Sequence, residues 1–208
     1  MSQHNPTTIA ELRVLYDGTP QGAHLDFVLA QNHDARIRAV RKGVDFACNE
    51  LEQAKHKMQG KGEDDITLDI CRMLKMAGFQ AAHDKDVGGH CDVSIEGKNS
   101  FLWLAEAKEH SSYGWLDKGF QQLATRYSTG VMGQNQGDIL VYCYNTDANL
   151  MLKKWRNELV SRNGDVKTED PDAETPLQFC SKHKHASSGL DFVVRHKAIT
   201  LHWKPKDK

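Results

Sequence analysis

Between Val87 and Glu109 the chain reads VGGHCDVSIEGKNSFLWLAEAKE, and it sets two carboxylates and an ammonium where they can act together. Asp92 lies near the start of one alternating apolar–polar run, His90–Glu96; Glu106 and Lys108 end a second, Ser100–Lys108. Gly97, Lys98 and Asn99 between the runs predict a β-hairpin turn. Strand side chains alternate faces, so Glu106 and Lys108 share one. Folding about Gly97–Asn99 puts Asp92 across from residues near Trp103–Leu104, close enough for both carboxylates to reach one ion. Two such acids can hold a hard divalent cation, Mg²⁺ or Mn²⁺, and the lysine can steady a phosphate or position a nucleophilic water. Leu102, Leu104 and Ala105 make the approach to Glu106 strongly apolar. A carboxylate leaving a buried strand is costly unless it is paired or bound to a metal.

Around that stretch the periodicities predict a run of elements. A helix from Ala35 to about Met58, capped by Asp34, is followed by a basic break at Lys55–Lys61 and a second helix from about Glu63 to Ala77, stopped by Gly78. Phe79–Ala82 reads as a strand, then comes the hairpin, a helix over Trp115–Tyr127, a buried strand over Asp138–Tyr144 and a helix over Ala148–Ser161. Residues 163–176 hold five acids and two prolines and read as an acidic surface loop. Upstream, Glu11–Tyr16 and Ala23–Ala30 are expected as short strands. Downstream, Leu190–Arg195 and Ala198–Trp203 are expected as a hairpin about His196-Lys197. The fold class expected is mixed α/β, one domain over 1–208 with its core at about 62–162, an N-terminal extension over 1–61 and a basic C-terminal hairpin over 177–208.

Asp92, thirteen intervening residues, then Glu106-Ala107-Lys108 resembles the signature of the PD-(D/E)xK nuclease superfamily, with Cys91 where a proline often stands. From Glu63 to about Asn145, roughly two-fifths of the chain, the order of elements resembles that superfamily's restriction-endonuclease-like core, αβββαβ, with the acids on the second and third strands. The resemblance implies a metal-dependent endonuclease cutting DNA phosphodiester bonds. Asp92 and Glu106, helped by the Ala107 carbonyl, would bind Mg²⁺ or Mn²⁺, with Lys108 completing the catalytic set. Glu63, first of three acids opening its helix, would add a metal contact; complementing the helix dipole explains the same residues equally well. Gln122 resembles a glutamine in some members, although Gln122-x4-Tyr127 is one residue longer than their Q-x3-Y pattern, and Arg126 is a candidate phosphate contact. The resemblance further implies an effector in a bacterial defence or restriction system, with DNA and a targeting or motor protein as partners. A non-catalytic DNA-binding or assembly subunit of the same fold is the alternative.

Composition sets the frame. With 208 residues, 39% hydrophobic and 26% charged, the chain can bury a sizeable core, and it contains no apolar run approaching a membrane span. The start MSQHNPTTIAELR lacks the basic-then-apolar order of a signal peptide, and five scattered cysteines without a CxxC predict reduced, buried thiols in a cytoplasm. A net charge of −1 does not advertise a nucleic-acid binder, so contacts must come from local patches. Two stand out: Arg36, Arg38, Arg41 and Lys42, and the stretch Lys182–Lys208, which holds seven basic residues against Asp191 and Asp207. Lys182, Lys184 and Arg195, with Lys118 and Arg126, are expected to flank the acids and form one groove. Cys180-x2-His183-x-His185 offers three zinc ligands without a fourth and reads better as a solvated loop. His90, beside Gly88-Gly89, could line the mouth of the site.

Overall fold

The computed structural model describes residues 7–207. Lys208 of the basic tail and residues 1–6 lie outside them. Seven strands form one mixed sheet: β1 (Ala81–Asp86), β2 (His90–Gly97), β3 (Phe101–Glu109), β4 (Gln136–Cys143), β5 (Lys167–Thr168), β6 (Gln178–Lys184) and β7 (Asp191–Thr200). Their spatial order is β1-β2-β3-β4-β7-β6-β5. β3, β4 and β7 run parallel at the centre; antiparallel hairpins flank them on both sides. The central strands are buried on both faces, which explains the nearly unbroken apolar run through β4.

Helices cover both faces. On one lie α3 (His33–Gln53) and α5 (Glu63–Met76), whose Val40, Val44, Ile66, Ile70 and Leu74 pack with Trp103, Ala105, Leu140, Tyr142 and Ile199. On the other lie α6 (Tyr113–Gln121) and α7 (Ala148–Arg162), joined by Leu123; their Leu116, Phe120, Met151 and Trp155 pack with Leu104, Ile139, Val141 and Val194. α6 continues directly into a π-helical turn, Gln122–Tyr127, so the expected single helix changes winding halfway. Among the described residues no helix is long and apolar enough to cross a membrane. All five cysteines are free thiols, four of them buried and Cys180 half-buried.

Three local expectations are corrected. The N-terminal segments are helices rather than strands: α1 (Ile9–Leu15) and α2 (Pro20–Leu29). Thr8 and Glu11 form a capping box, and Thr19 caps α2 with Pro20 at its first position, so cap chemistry overrides a weak alternation. α3 is capped by Asn32, whose side chain accepts from the Ala35 N–H, rather than by Asp34; the helix ends at Gln53 and a short α4 (Lys55–Met58) follows. The C-terminal hairpin turns at 185–190, closed by His185 N–H to the Leu190 carbonyl, and β7 runs straight through His196-Lys197. His196 is fully buried, bonded to Ser181 Oγ at 2.8 Å and Trp155 Nε1 at 3.1 Å, and burial pushes its imidazole down to about 3. A neutral histidine with both ring nitrogens satisfied belongs in a core, not at a turn.

Candidate active site

The cluster is built by three elements meeting at the C-terminal end of β3. The β2–β3 hairpin pairs Val93 with Ala105 and Gly97 with Phe101; past Val93 the Asp92 carboxylate takes over, accepting from the Ala107 N–H, so Asp92 stands level with Glu106-Ala107. This is two residues further along than the turn signal predicts, because the loop is Lys98–Ser100, with Asn99 and Ser100 left-handed at φ 60° and 57°. A shift of two keeps every side chain on its face. Glu106 and Lys108 therefore share the α6 side of the sheet, and Asp92 meets them at the strand end, its Oδ2 3.8 Å from Lys108 Nζ. Glu63, on the first turn of α5, reaches over the strand end and accepts a 2.6 Å hydrogen bond from the Glu109 N–H.

Lys108 Nζ is the centre. It lies 2.8 Å from Glu106 Oε1, 3.2 Å from Glu63 Oε1 and 3.8 Å from Asp92 Oδ2, and donates to the Ala107 carbonyl at 3.0 Å. Asp92 Oδ2 also accepts from the Ala107 N–H at 2.8 Å. Gly119 of α6 leaves room for this: a Cβ there would stand 2.8 Å from Lys108 Cγ and 3.4 Å from Glu106 Cγ. Glu106 is only 1% exposed and Lys108 5%. Burial and the Asp92 charge push the Glu106 carboxyl up to about 7, against the pull of Lys108, and burial raises Asp92 in the same direction. Burial alone would lower the Lys108 ammonium, but Glu106, Asp92 and Glu63 together outweigh it and hold it above its ordinary value. The shifts of the pair look opposed in sense only because one cation answers three acids: Lys108 is over-compensated, Glu106 under-compensated.

The π-helical turn stands beside the acids. Residues five apart on an α-helix point roughly 140° away from each other, at 100° per residue. In the π-turn Gln122 and Tyr127 become neighbours, with Gln122 Nε2 donating to Tyr127 Oη at 3.0 Å. Tyr127 is buried, and burial followed by the Glu106 charge raises its phenol. Sequence reasoning named Gln122 but not Tyr127; the signal for Tyr127 was Gln122-x4-Tyr127, one residue longer than the Q-x3-Y pattern. The β1–β2 turn docks here as well, since a Cβ at Gly88 would meet the Arg126 carbonyl at 2.3 Å and one at Gly89 the Tyr127 ring at 2.9 Å.

No protein-family model, curated protein or solved structure matches this chain.

Whether the cluster suits a metal is decided by its own chemistry. Among the described residues, no three His, Cys, Asp or Glu side chains are arranged to hold an ion. Charge and hydrogen bonding nevertheless fit a cation: three carboxylates face one ammonium, and the buried Glu106 Oε2 has no hydrogen-bond partner. Such an oxygen costs about 1–3 kcal/mol or more if left unsatisfied, more for a charged group. Asp92 and Glu106, flanked by Glu63 and the Ala107 carbonyl, are the residues that would hold Mg²⁺ or Mn²⁺.

The remaining expected residues divide. Arg126 is exposed at the end of the π-turn, and Lys118 lies on α6 with its Nζ 4.8 Å from the Trp115 ring centre. Arg195 is not brought to the site. It is 3% exposed and bonds Asp138 Oδ2 at 2.7 Å and Asp45 Oδ1 at 2.8 Å, within a buried network that Arg41 completes. Lys182 and Lys184 are exposed but both pair with Asp191 at 2.7 Å. Cys180 faces Arg195 and Lys182 faces Val193, so these side chains lie on the α3 side of the sheet, two strands from β3 for Arg195 and three for Lys182, and on the opposite face from Glu106 and Lys108. The groove expected from the C-terminal stretch is therefore not formed. In the first basic patch Arg41 pairs with Asp138, Lys42 with Asp26, and Arg36 donates to the Ala30 carbonyl, while Arg38 is exposed. Of the zinc-like spacing, Cys180 and His183 lie on strand β6 and His185 just past its end, and alternation sends Cys180 and His183 to opposite faces. His90 is exposed and paired with Asp84 Oδ1 at 2.9 Å.

Proposed function

We propose that the chain is a divalent-metal-dependent nuclease hydrolysing DNA phosphodiester bonds, with Asp92, Glu106 and Lys108 as its catalytic set. One observation carries the reading: acids from β2, β3 and α5 converge within 4 Å of a single buried lysine nitrogen, leaving Glu106 under-compensated. The order α5-β1-β2-β3-α6-β4 supports a restriction-endonuclease-like core, with Asp92 on its second strand and Glu106 on its third. The Gln122–Tyr127 pair supports it further, since the π-turn absorbs the extra residue of Gln122-x4-Tyr127. When bound, Mg²⁺ or Mn²⁺ would polarise the scissile phosphate and lower the pKa of a water. Asp92 and Glu106 would hold that charge, which would offset their mutual repulsion. Lys108 stays protonated beside them, and its ammonium is the group that orients the attacking water and offsets the charge growing on the phosphate. Tyr127, held by Gln122, closes the apolar side of the acid pair.

The alternative, a non-catalytic DNA-binding or assembly subunit, draws on the closed ring of carboxylates about Lys108, which as it stands satisfies much of its own charge. Supercoiled plasmid, linear duplex and single-stranded DNA, each incubated with the protein and Mn²⁺, separate the two. The parent should nick or degrade DNA, a Glu106→Ala variant should not, and calorimetry should show Mn²⁺ binding that the variant lacks. Metal binding without cleavage of any of the three substrates would remove the nuclease reading.

A further inference from the structure

The helix that closes the site carries an aromatic ring the acid cluster does not use. Trp115 is 36% exposed, with its ring centre 5.4 Å from the Nζ of Lys108 and 4.8 Å from that of Lys118. On α6, Trp115 and Lys118 share one side at i and i+3, and Arg126 is exposed at the far end of the π-turn, making a stripe of one ring and two cations. Leu116, Phe120, Leu123 and Tyr127 are buried. Neither Lys118 nor Arg126 forms an ion pair with an acid among the described residues, whereas Lys182, Lys184, Arg41 and Lys42 all do. The unpaired cations of this face thus line up with the one exposed ring that touches the catalytic lysine.

We infer that Trp115 is a stacking platform for an unpaired base, and that the substrate at this site is single-stranded nucleic acid laid along the α6 stripe, its phosphates meeting Lys118 and Arg126. The inference rests on the nuclease reading for its chemistry but not for its binding. A ring can stack only on a base whose face is free, and in a duplex every interior face is taken by its neighbours. Electrostatics favour the same choice: with net charge −1 and two unpaired cations on the stripe, duplex binding through phosphates is weak and falls steeply with salt. Stacking needs no net charge and adds about 1–3 kcal/mol per base, roughly 5- to 150-fold in affinity.

The test is binding in EDTA, where cleavage cannot occur, of a labelled oligothymidylate and of a blunt duplex. The parent should prefer the single strand. Trp115→Leu, which keeps apolar cover over Lys108 but has no π face, should weaken single-strand binding about tenfold; Trp115→Phe should retain most of it, and both should leave the weak duplex binding alone. Lys118→Glu should flatten the salt dependence of single-strand binding. Trp115→Leu binding the single strand like the parent, equal parental affinity for the two forms, or no binding to either would each overturn the inference. Single-strand binding that depends on Trp115, without cleavage when Mn²⁺ is added, would instead sink the nuclease reading and leave this one standing.

Discussion

Replacing Glu106 by glutamine removes a charge that the metal-free fold does not want, and the effect has a defined pH dependence. The side chain is 2% exposed, faces Asp92, and is pushed up to about 7 from the ordinary 4.5. Between those values the native state holds a proton that the unfolded chain has released, so stability falls as pH rises from the lower value through the upper one. Above both, the whole penalty is present. At about 1.36 kcal/mol per pKa unit it approaches 3 kcal/mol near pH 8, and about 1 kcal/mol near pH 5.5, where only the unfolded state has fully ionised. Glu106→Gln is neutral at both pH values and similar in shape. In EDTA it should therefore be more stable than the parent by about 1 kcal/mol near pH 5.5 and by about 3 kcal/mol near pH 8. Asp92 is raised as well, so part of the change falls on it in the parent; Lys108 stays charged across this range. Urea unfolding at the two pH values measures the gap. A gap of the same size at both, or a variant less stable than the parent near pH 8, would show that Lys108 fully compensates Glu106 and that the cluster has no charge deficit for a cation to fill.

Two further outcomes follow from the packing. Asp138 is fully buried; burial alone would raise it, but Arg195 and Arg41 outweigh that and hold it below its ordinary value, so its contribution to stability is present at neutral pH and lost as pH falls through the native value. Asp138→Asn should cost about 3–5 kcal/mol in urea unfolding at neutral pH by leaving two guanidinium groups under-paired, and Arg195→Met should likewise act on stability and not on the salt dependence of DNA binding. Gly18 and Gly88 have nearly the same φ, 69° and 65°, yet a Cβ at Gly18 meets nothing within 4 Å and one at Gly88 meets the Arg126 carbonyl at 2.3 Å. Gly18→Ala should cost about 1 kcal/mol of backbone strain, and Gly88→Ala at least twice that; equal losses would mean that the β1–β2 turn does not bear on the π-turn.

Much of the core could be read from residue pattern alone, because hydrophobic period is a local signal backed by burial. α5, the hairpin strands, β4 and α7 fall within a few residues of the pattern that predicts them. What failed were places where a polar residue has a partner distant in sequence. His196 and Arg195 read as a basic turn because nothing nearby shows Ser181, Trp155, Asp138 or Asp45 waiting for them. Lys182 and Lys184 read as free cations because their common partner, Asp191, lies across a hairpin whose turn was placed too late in the chain. Net charge by segment could not separate paired from unpaired lysines, and so it named the wrong basic patch.

The acid cluster was legible for a different reason. Asp92, Glu106 and Lys108 depend on parity along two strands, and parity survives a register error of two. The left-handed pair Asn99-Ser100 moved the hairpin centre by one residue, and the two carboxylates still met at Lys108 Nζ. Helical phase has no such tolerance. Each residue turns an α-helix by about 100°, so a spacing of five instead of four moves Tyr127 away from Gln122 unless the winding changes. The change of winding is visible only in tertiary contact, where Gly88 and Gly89 bring the β1–β2 turn flush against the Arg126 carbonyl and the Tyr127 ring. The same π-turn turns Gln122 onto the buried Tyr127 phenol, close enough to the acids for the Glu106 charge to raise it, and leaves Arg126 exposed. The extra residue in Gln122-x4-Tyr127 therefore sets the phase on which both the buried pair and the exposed Arg126 depend.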